Sequence, residues 1–344
     1  MQQKLRYFRR PRMNPVLLVA ALFLLSTGCQ KSPSSSSTTR IAYITNGIAS
    51  FWNIGKAGAE AAGRDLAVEV SVHMPAEGIN DQKRIVEDLL IRGVDGVAIS
   101  LIDAANQAGF VNDLASRTTV ITQDADAPGT SRLAYVGMDN YLAGRMVGTL
   151  VKERLPEGGT LALFVGRVEQ DNARKRRQGV IDEVLGRSPD SSRFDPLGPP
   201  LTDGKFTFVT TLTDQFDRVK AKANCEDTLL QYPDLSGMIG LFVYNAPACL
   251  EALKQSGRTG TVKLFSFDEA DESLQAIEAG LMEGTIVQNP YEYGYQSVKL
   301  LKEILSGNRS AIPASGFIDI PARRIDRSNV AEFSRELKNR LGQQ

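Results

Sequence analysis

The sequence holds one histidine, one tryptophan and three cysteines in 344 residues, and each scarcity removes a class of chemistry. A Ser-His-Asp or Cys-His nucleophile would have to use His73. That residue sits in the apolar run VEVSVHM (68–74) and reads as part of a strand. No histidine and cysteine cluster has metal-ligand spacing. Phosphate loops are missing too. The stretch GIASFWNIGKAG has Ala57 where a Walker loop needs Ser or Thr and lacks the first glycine at the required distance, and no G-x-G-x-x-G follows a strand. Nothing singles out a carboxylate pair for glycoside cleavage, which depends on spatial separation. Charge of one sign is not in excess, since 40 basic residues face 40 acidic ones. The basic footprint of a nucleic-acid binder is therefore absent. No enzyme, no metal, no cofactor and no nucleic-acid partner are expected.

Long apolar runs are scarce as well. VLLVAALFLL, Val16 to Leu25, has ten residues, against about 20 needed to cross a bilayer. It follows Lys4, Arg6, Arg9, Arg10 and Arg12 and ends at STGCQ, the charged, apolar, small-residue order of a secretory signal. Ser26, Thr27 and Gly28 before Cys29 resemble a bacterial lipobox, in which the cysteine is lipidated and becomes the new N-terminus; the leucine stands one place earlier than usual. An exported protein held to a membrane by lipid on Cys29 is expected, at the cell envelope or in the periplasm. QKSPSSSSTT (30–39) is too poor in apolar residues to fold and reads as a tether. Beyond Cys29 only Cys225 and Cys249 remain. In an exported chain either a bridge between them or two buried thiols on neighbouring helices is open.

With 42% hydrophobic residues, the rest of the chain can build about two domains. β-Branched apolar runs recur with helical stretches between them: RIAYITN (40–46), VEVSVHM (68–74), VDGVAIS (94–100), TTVITQD (118–124) and LAYVGMD (133–139). A second series follows: TLALFVG (160–166), FTFVTTL (206–212), SGMIGLFVYN (236–245), VKLFSFD (262–268) and GTIVQNP (284–290). Near-continuous apolar strands at this spacing predict an α/β fold with two doubly wound parallel-sheet lobes. GRSPDSSRFDPLGPPLTDGK (186–205) breaks the rhythm and reads as a surface insertion.

Open α/β sheets bind ligands beyond the carboxyl ends of their strands. The residues there are Asn46, Phe51, Trp52, Ser100, Asp124, Asp126, Arg174, Arg176, Phe216, Asn245, Asp268 and Gln288. The set suits a sugar. Asp124 and Asp268 accept from hydroxyls, Arg176 donates in a fork, Asn245 and Gln288 do both, and Phe51, Trp52 and Phe216 offer flat walls to a ring. On this reading Trp52 is a cleft wall instead of a core residue. Taken singly, Phe216 also fits a core, and Asp124 and Asp268 also fit helix caps.

The order SFWNIGKAG, VEDLLIRGVDGVAIS, VITQDADAP, VGMDNYLAGR, NARKRRQG, DQFDRVKA, FVYNAPACLEAL and FSFDEADESLQAIEAGLMEGTIVQNPYEYG resembles the ribose-binding protein and its relatives, the type I periplasmic sugar-binding family, over about residues 40–320. The resemblance implies that Phe51, Trp52 and Phe216 sandwich the sugar, with Ser100, Asp124, Arg176, Asn245, Asp268 and Gln288 as its polar partners. Family residues are replaced at Ala49, Ala125 and Ser100, and Asp126 adds an acceptor, so another pentose, a hexose or a polyol fits as well as ribose. After the signal peptide (1–28) and tether (29–39), the type I fold implies an N-terminal lobe (40–139 with 290–318) and a C-terminal lobe (140–289 with 319–333), followed by a tail (334–344). Three hinge crossings are expected, near 139–140, 288–291 and 319–322. The implied partners are a sugar or polyol and the permease of an ABC importer, with the binding protein acting as a monomer. A sugar sensor for a chemoreceptor or kinase is the alternative, and an exported hydrolase a more distant one.

Overall fold

A computed structural model describes residues 38–341 apart from Pro199. The expected signal, Cys29 and most of the tether lie outside the described residues. The chain opens with β1 (Arg40–Ile44), α1 (Ser50–Leu66), β2 (Glu69–His73), α2 (Ile79–Ile91), β3 (Gly96–Ile99), α3 (Ala104–Arg117), β4 (Thr119–Gln123) and β5 (Tyr135–Gly137). It continues with α4 (Asn140–Arg154), β6 (Gly159–Val165), α5 (Asp171–Val184), β7 (Leu201–Thr202), β8 (Phe206–Thr213), α6 (Arg218–Gln231), β9 (Leu235–Gly240), α7 (Asn245–Gln255), β10 (Lys263–Phe267), α8 (Asp271–Glu278) and β11 (Gly284–Val287). The last elements are α9 (Pro290–Leu305), β12 (Phe317–Asp319), β13 (Arg323–Ile325) and α10 (Val330–Arg340).

These strands form two sheets. One has the order β12-β5-β4-β3-β1-β2 and is parallel throughout; the other has the order β13-β11-β10-β9-β6-β8-β7, with antiparallel pairing only at its edges, β13 and β7. The strands are apolar on both faces because helices cover both. Ile41, Tyr43, Ala98 and Ile121 pack towards α1 and α9, while Ile44, Val97, Ile99 and Val120 pack towards α2 and α3. The chain passes between the sheets after β5, after β11 and after β12. Local sequence marks the first two passages: the Asp139 carboxylate caps α4, and Asn289 caps α9, which starts at Pro290.

Each lobe has one helix pair in very close approach. A Cβ on Gly58 of α1 would lie 1.9 Å from the Tyr291 carbonyl oxygen of α9, and one on Gly294 would lie 2.0 Å from that of Gly55. In the other lobe, a Cβ on Gly144 of α4 would lie 2.1 Å from the Arg176 carbonyl oxygen, and one on Gly179 of α5 would lie 2.1 Å from that of Tyr141. These contacts fix α1 and α5, whose first turns reach the cleft.

Two expectations change. The insertion at 186–205 is not merely a surface loop, because buried Arg177 donates to the carbonyls of Asp195 and Pro196, and Leu197 and Leu201 pack on the core. A buried guanidinium needs acceptors, and the loop bends in to supply them. The break expected at 333–334 falls inside α10, where Phe333 and Leu337 both pack on the C-terminal lobe. Cys225 on α6 and Cys249 on α7 are both buried, and the neighbouring helices bring their sulfurs to 2.6 Å of each other.

Candidate ligand-binding cleft

At the carboxyl ends of both sheets the lobes enclose a cavity of about 410 Å³, within the range of roughly 300–1,000 Å³ usual for small-molecule sites. Asn46 to Ala49, Phe51, Trp52, Ile102 and Asp124 line it from one lobe. Arg167, Gln170, Asn172, Arg176, Phe216, Arg218, Phe242, Val243, Tyr244, Asp268 and Gln288 line it from the other side. Of the candidates read from sequence, Phe51, Trp52, Asp124, Arg176, Phe216, Asp268 and Gln288 thus come together around one space.

The two aspartates are built alike. Each directly follows a strand, β4 or β10, and each backbone N–H donates to the next strand over: Asp124 to the Val136 carbonyl at 3.0 Å and Asp268 to that of Ile286 at 2.9 Å. Both have left-handed backbones, with φ 57° and 68°, and Phe216 has φ 66°. Non-glycine residues cost about 1–3 kcal/mol in such conformations, and strain of this kind gathers at functional sites. Here it turns two carboxylates and one ring into the cleft. Burial raises the pKa of Asp124 to about 6 against the pull of Arg176; burial also shifts Asp268 upward, again opposed by Arg176.

Arg176 is the polar centre. Its guanidinium lies 4.2 Å from the Phe267 ring centroid and 5.5 Å from that of Phe242; Nε donates to Asn140 Oδ1 at 2.8 Å and Nη1 to the Leu241 carbonyl. Nη2 is buried without a partner. Gln288 Nε2 donates to Asp268 Oδ1 at 2.8 Å, and Tyr293 Oη donates to Gln288 Oε1, which orients the amide. Phe216, 41% exposed, packs edge-on against Phe242.

Several expectations are corrected. Trp52 is only 4% exposed and belongs to the core cluster of Tyr43, Phe51 and Tyr293 as well as to the cavity wall. Its Nε1 donates to Asn46 Oδ1 at 3.0 Å. One face of a large indole can pack on a core while another meets a ligand, so wall and core were not alternatives. Ser100 and Asn245 stand one layer behind the wall. Ser100 Oγ donates to Asp124 Oδ2; Asn245 begins α7, donates to Asp214 Oδ2 and accepts from the Phe242 N–H. Asp126 is bound by Arg132 and Thr122 and faces a smaller cavity near the hinge. Arg174 is paired with Asp171 on the surface.

Sequence reading missed the groups that hold the walls in place. Buried Gln82 donates to the carbonyls of Thr45 and Ser100 and accepts from Gln107, whose own oxygen takes the N–H groups of Ile102 and Asp103. This fastens the loops after β1 and β3. Opposite, Asp214 accepts from Tyr244, Asn245 and the Phe216 N–H, fastening those after β8 and β9. Gln170 Nε2 donates to the Ile102 carbonyl at 3.0 Å, directly joining the lobes.

Two similar α/β lobes hinged by three crossings around a polar cleft with aromatic walls define a solute-binding protein of the periplasmic type. A family model described as a periplasmic binding protein domain matches residues 41–309, and the chain belongs to that family. Members are substrate-binding proteins, so the chain is a binding protein and not an enzyme. The ribose import binding protein of Escherichia coli (strain K12) is 24% identical over 253 residues, 73% of this chain and 78% of the relative. The xylitol-binding protein of Mycolicibacterium smegmatis is 24% identical over 270 residues, 78% of this chain and 72% of the relative. Among solved structures, a glucose-galactose binding protein from Geobacillus stearothermophilus superposes with a TM-score of 0.75 at 23% identity, covering 85% of this chain and 99% of its own.

Proposed function

We propose that this chain is an extracytoplasmic solute-binding protein that captures a monosaccharide or polyol between its lobes and delivers it to an ABC importer. One observation carries the reading: Phe51 and Trp52 from one lobe and Phe216 from the other line the same cavity as Asp124, Arg176, Asp268 and Gln288. Flat apolar groups meet the C–H faces of a ring, and the charged and amide groups meet its hydroxyls. Relatives named for ribose and xylitol support this class of ligand. The export signal and Cys29 support delivery at the outer face of a membrane, with the mature chain anchored by lipid.

A thermal-shift screen of residues 38–344 against pentoses, hexoses and polyols tests the capture. A ligand at 100 times its dissociation constant adds about 2.7 kcal/mol of stability. Stabilisation by amino acids or peptides, with none by any sugar or polyol, would refute the ligand class. Labelled fatty acid entering the full chain but not Cys29→Ser checks the anchor; equal incorporation rules it out.

A further inference from the structure

We propose that the ligand is an anionic sugar, one bearing a carboxylate or similar oxyanion, read by Arg167 and Arg218 on the C-terminal wall of the cleft. The inference rests on the sugar-capture reading and narrows it. Three guanidinium groups, Arg167, Arg176 and Arg218, line the cavity with only two carboxylates, Asp124 and Asp268. Arg176 lies within the field of both aspartates, and its charge is answered by theirs. Arg167, half-buried, and Arg218, exposed at the rim of the cavity, form no ion pair among the described residues.

Nearby acids are already engaged. Asp103 faces Arg167 but caps α3 through the N–H and side-chain amide of Asn106. Asp217 caps α6, and Asp214 takes its three bonds behind Tyr244. Arg167 lies 5.3 Å over the Phe216 ring, and its Nε is buried without a hydrogen-bond partner. Arg176 Nη2 is equally unpartnered, on a side chain only 1% exposed.

The backbone adds to this field. α1 and α5 reach the cavity with their first turns and α7 with its N-cap residue Tyr244 alone; no N-cap side chain, at Ala49, Gln170 or Tyr244, accepts a hydrogen bond, although Asn172 Oδ1 accepts from the Ala173 N–H in α5. Their N–H ends carry partial positive charge. A neutral sugar leaves Arg167 with only the more distant charge of Asp103, and Arg218 with solvent, as the cleft closes. An oxyanion on the sugar answers both arginines with charge-assisted bonds.

Calorimetry on matched pairs tests the idea: galactose with galacturonate, glucose with glucuronate, ribose with ribonate and with ribose 5-phosphate. At least one anionic member should bind 10-fold or more tightly than its neutral parent, with the preference shrinking as salt rises. The double variant Arg167→Gln, Arg218→Gln should lose the preference, and Arg167→Lys, which keeps the charge, should retain most of it. Carboxylate over phosphate, or the reverse, identifies the oxyanion. Neutral sugars binding as tightly as every anionic partner would overturn the inference and leave sugar capture standing. A preference that survives in the double variant would overturn the assignment to these arginines. A panel without any binder would overturn the inference, while sugar capture is decided by the wider thermal-shift screen.

Discussion

Trp52 and Asp124 show how single side chains can belong to the core and the cleft at once. Trp52 packs edge-on against Phe51, with ring centroids 4.8 Å apart, and also forms cavity wall. Trp52→Ala therefore removes packing area from both. Asp124 is buried, and the move of its pKa from 3.8 to about 6 is worth roughly 3 kcal/mol. The native carboxyl holds its proton more tightly than the unfolded one. Its contribution to stability is thus fully present below pH 3.8 and lost as pH rises through about 6. Asp124→Asn imitates the protonated form. It should raise the melting temperature of the ligand-free protein at pH 7 relative to wild type, with the difference vanishing near pH 4. Sugar affinity should fall by roughly 1–3 kcal/mol, because an acceptor for a hydroxyl is weakened. A ligand-free melt at pH 7 that is lower in the variant would contradict this account. Phe51, Trp52, Asp124, Arg176, Phe216, Asp268 and Gln288 were legible in the sequence because aromatic, charged and amide residues following strands are conspicuous. Arg167, Gln170, Arg218 and Tyr244 were not, since as letters they are ordinary surface residues. Only the meeting of two lobes makes them cleft residues.

Elements were legible to different degrees. Strands β1 to β6 and β8 to β11 follow from β-branched apolar runs, each of which needs cover on both faces. The partner of each helix is a tertiary fact, and no periodicity announces that α1 meets α9 or α4 meets α5. Glycines are the trace these contacts leave in the sequence, readable only afterwards. Gly58→Ala would put a methyl group 1.9 Å from the Tyr291 carbonyl oxygen, so α1 must move away from α9. The expected cost is about 1–3 kcal/mol of stability. Moving α1 also displaces Phe51 and Trp52, so ligand affinity should drop with it. Gly109→Ala in α3 is the control, because a Cβ there meets nothing within 4 Å. It should gain roughly 0.5–1 kcal/mol from helix propensity alone. Thermal melts of the two variants check the contrast; equal effects would mean that the close approach is not what constrains α1.

At the scale of the whole molecule, the chain's three passages between sheets leave the lobes joined along one side and free to part along the other. Hinged lobes of this kind close around ligands. The hinge was legible only through the family resemblance, because strand spacing gives two lobes without saying how often the chain crosses between them. Two features tie the free side shut. A ligand would touch walls from both lobes, and Gln170 Nε2 on the C-terminal lobe donates to the Ile102 carbonyl on the N-terminal lobe at 3.0 Å. Opening breaks that hydrogen bond and hydrates both groups, so its net worth is about 1 kcal/mol, near 5-fold in an equilibrium constant. Gln170→Ala should raise the ligand dissociation rate by about that factor and change the association rate little. Stability without ligand should stay close to wild type, since neither lobe core loses a contact. Stopped-flow fluorescence of Trp52, the only tryptophan in the chain, can follow both rates. Small-angle scattering should show a smaller radius of gyration at saturating ligand than without it. An unchanged radius together with an unchanged dissociation rate in Gln170→Ala would mean that the lobes do not part to release the ligand.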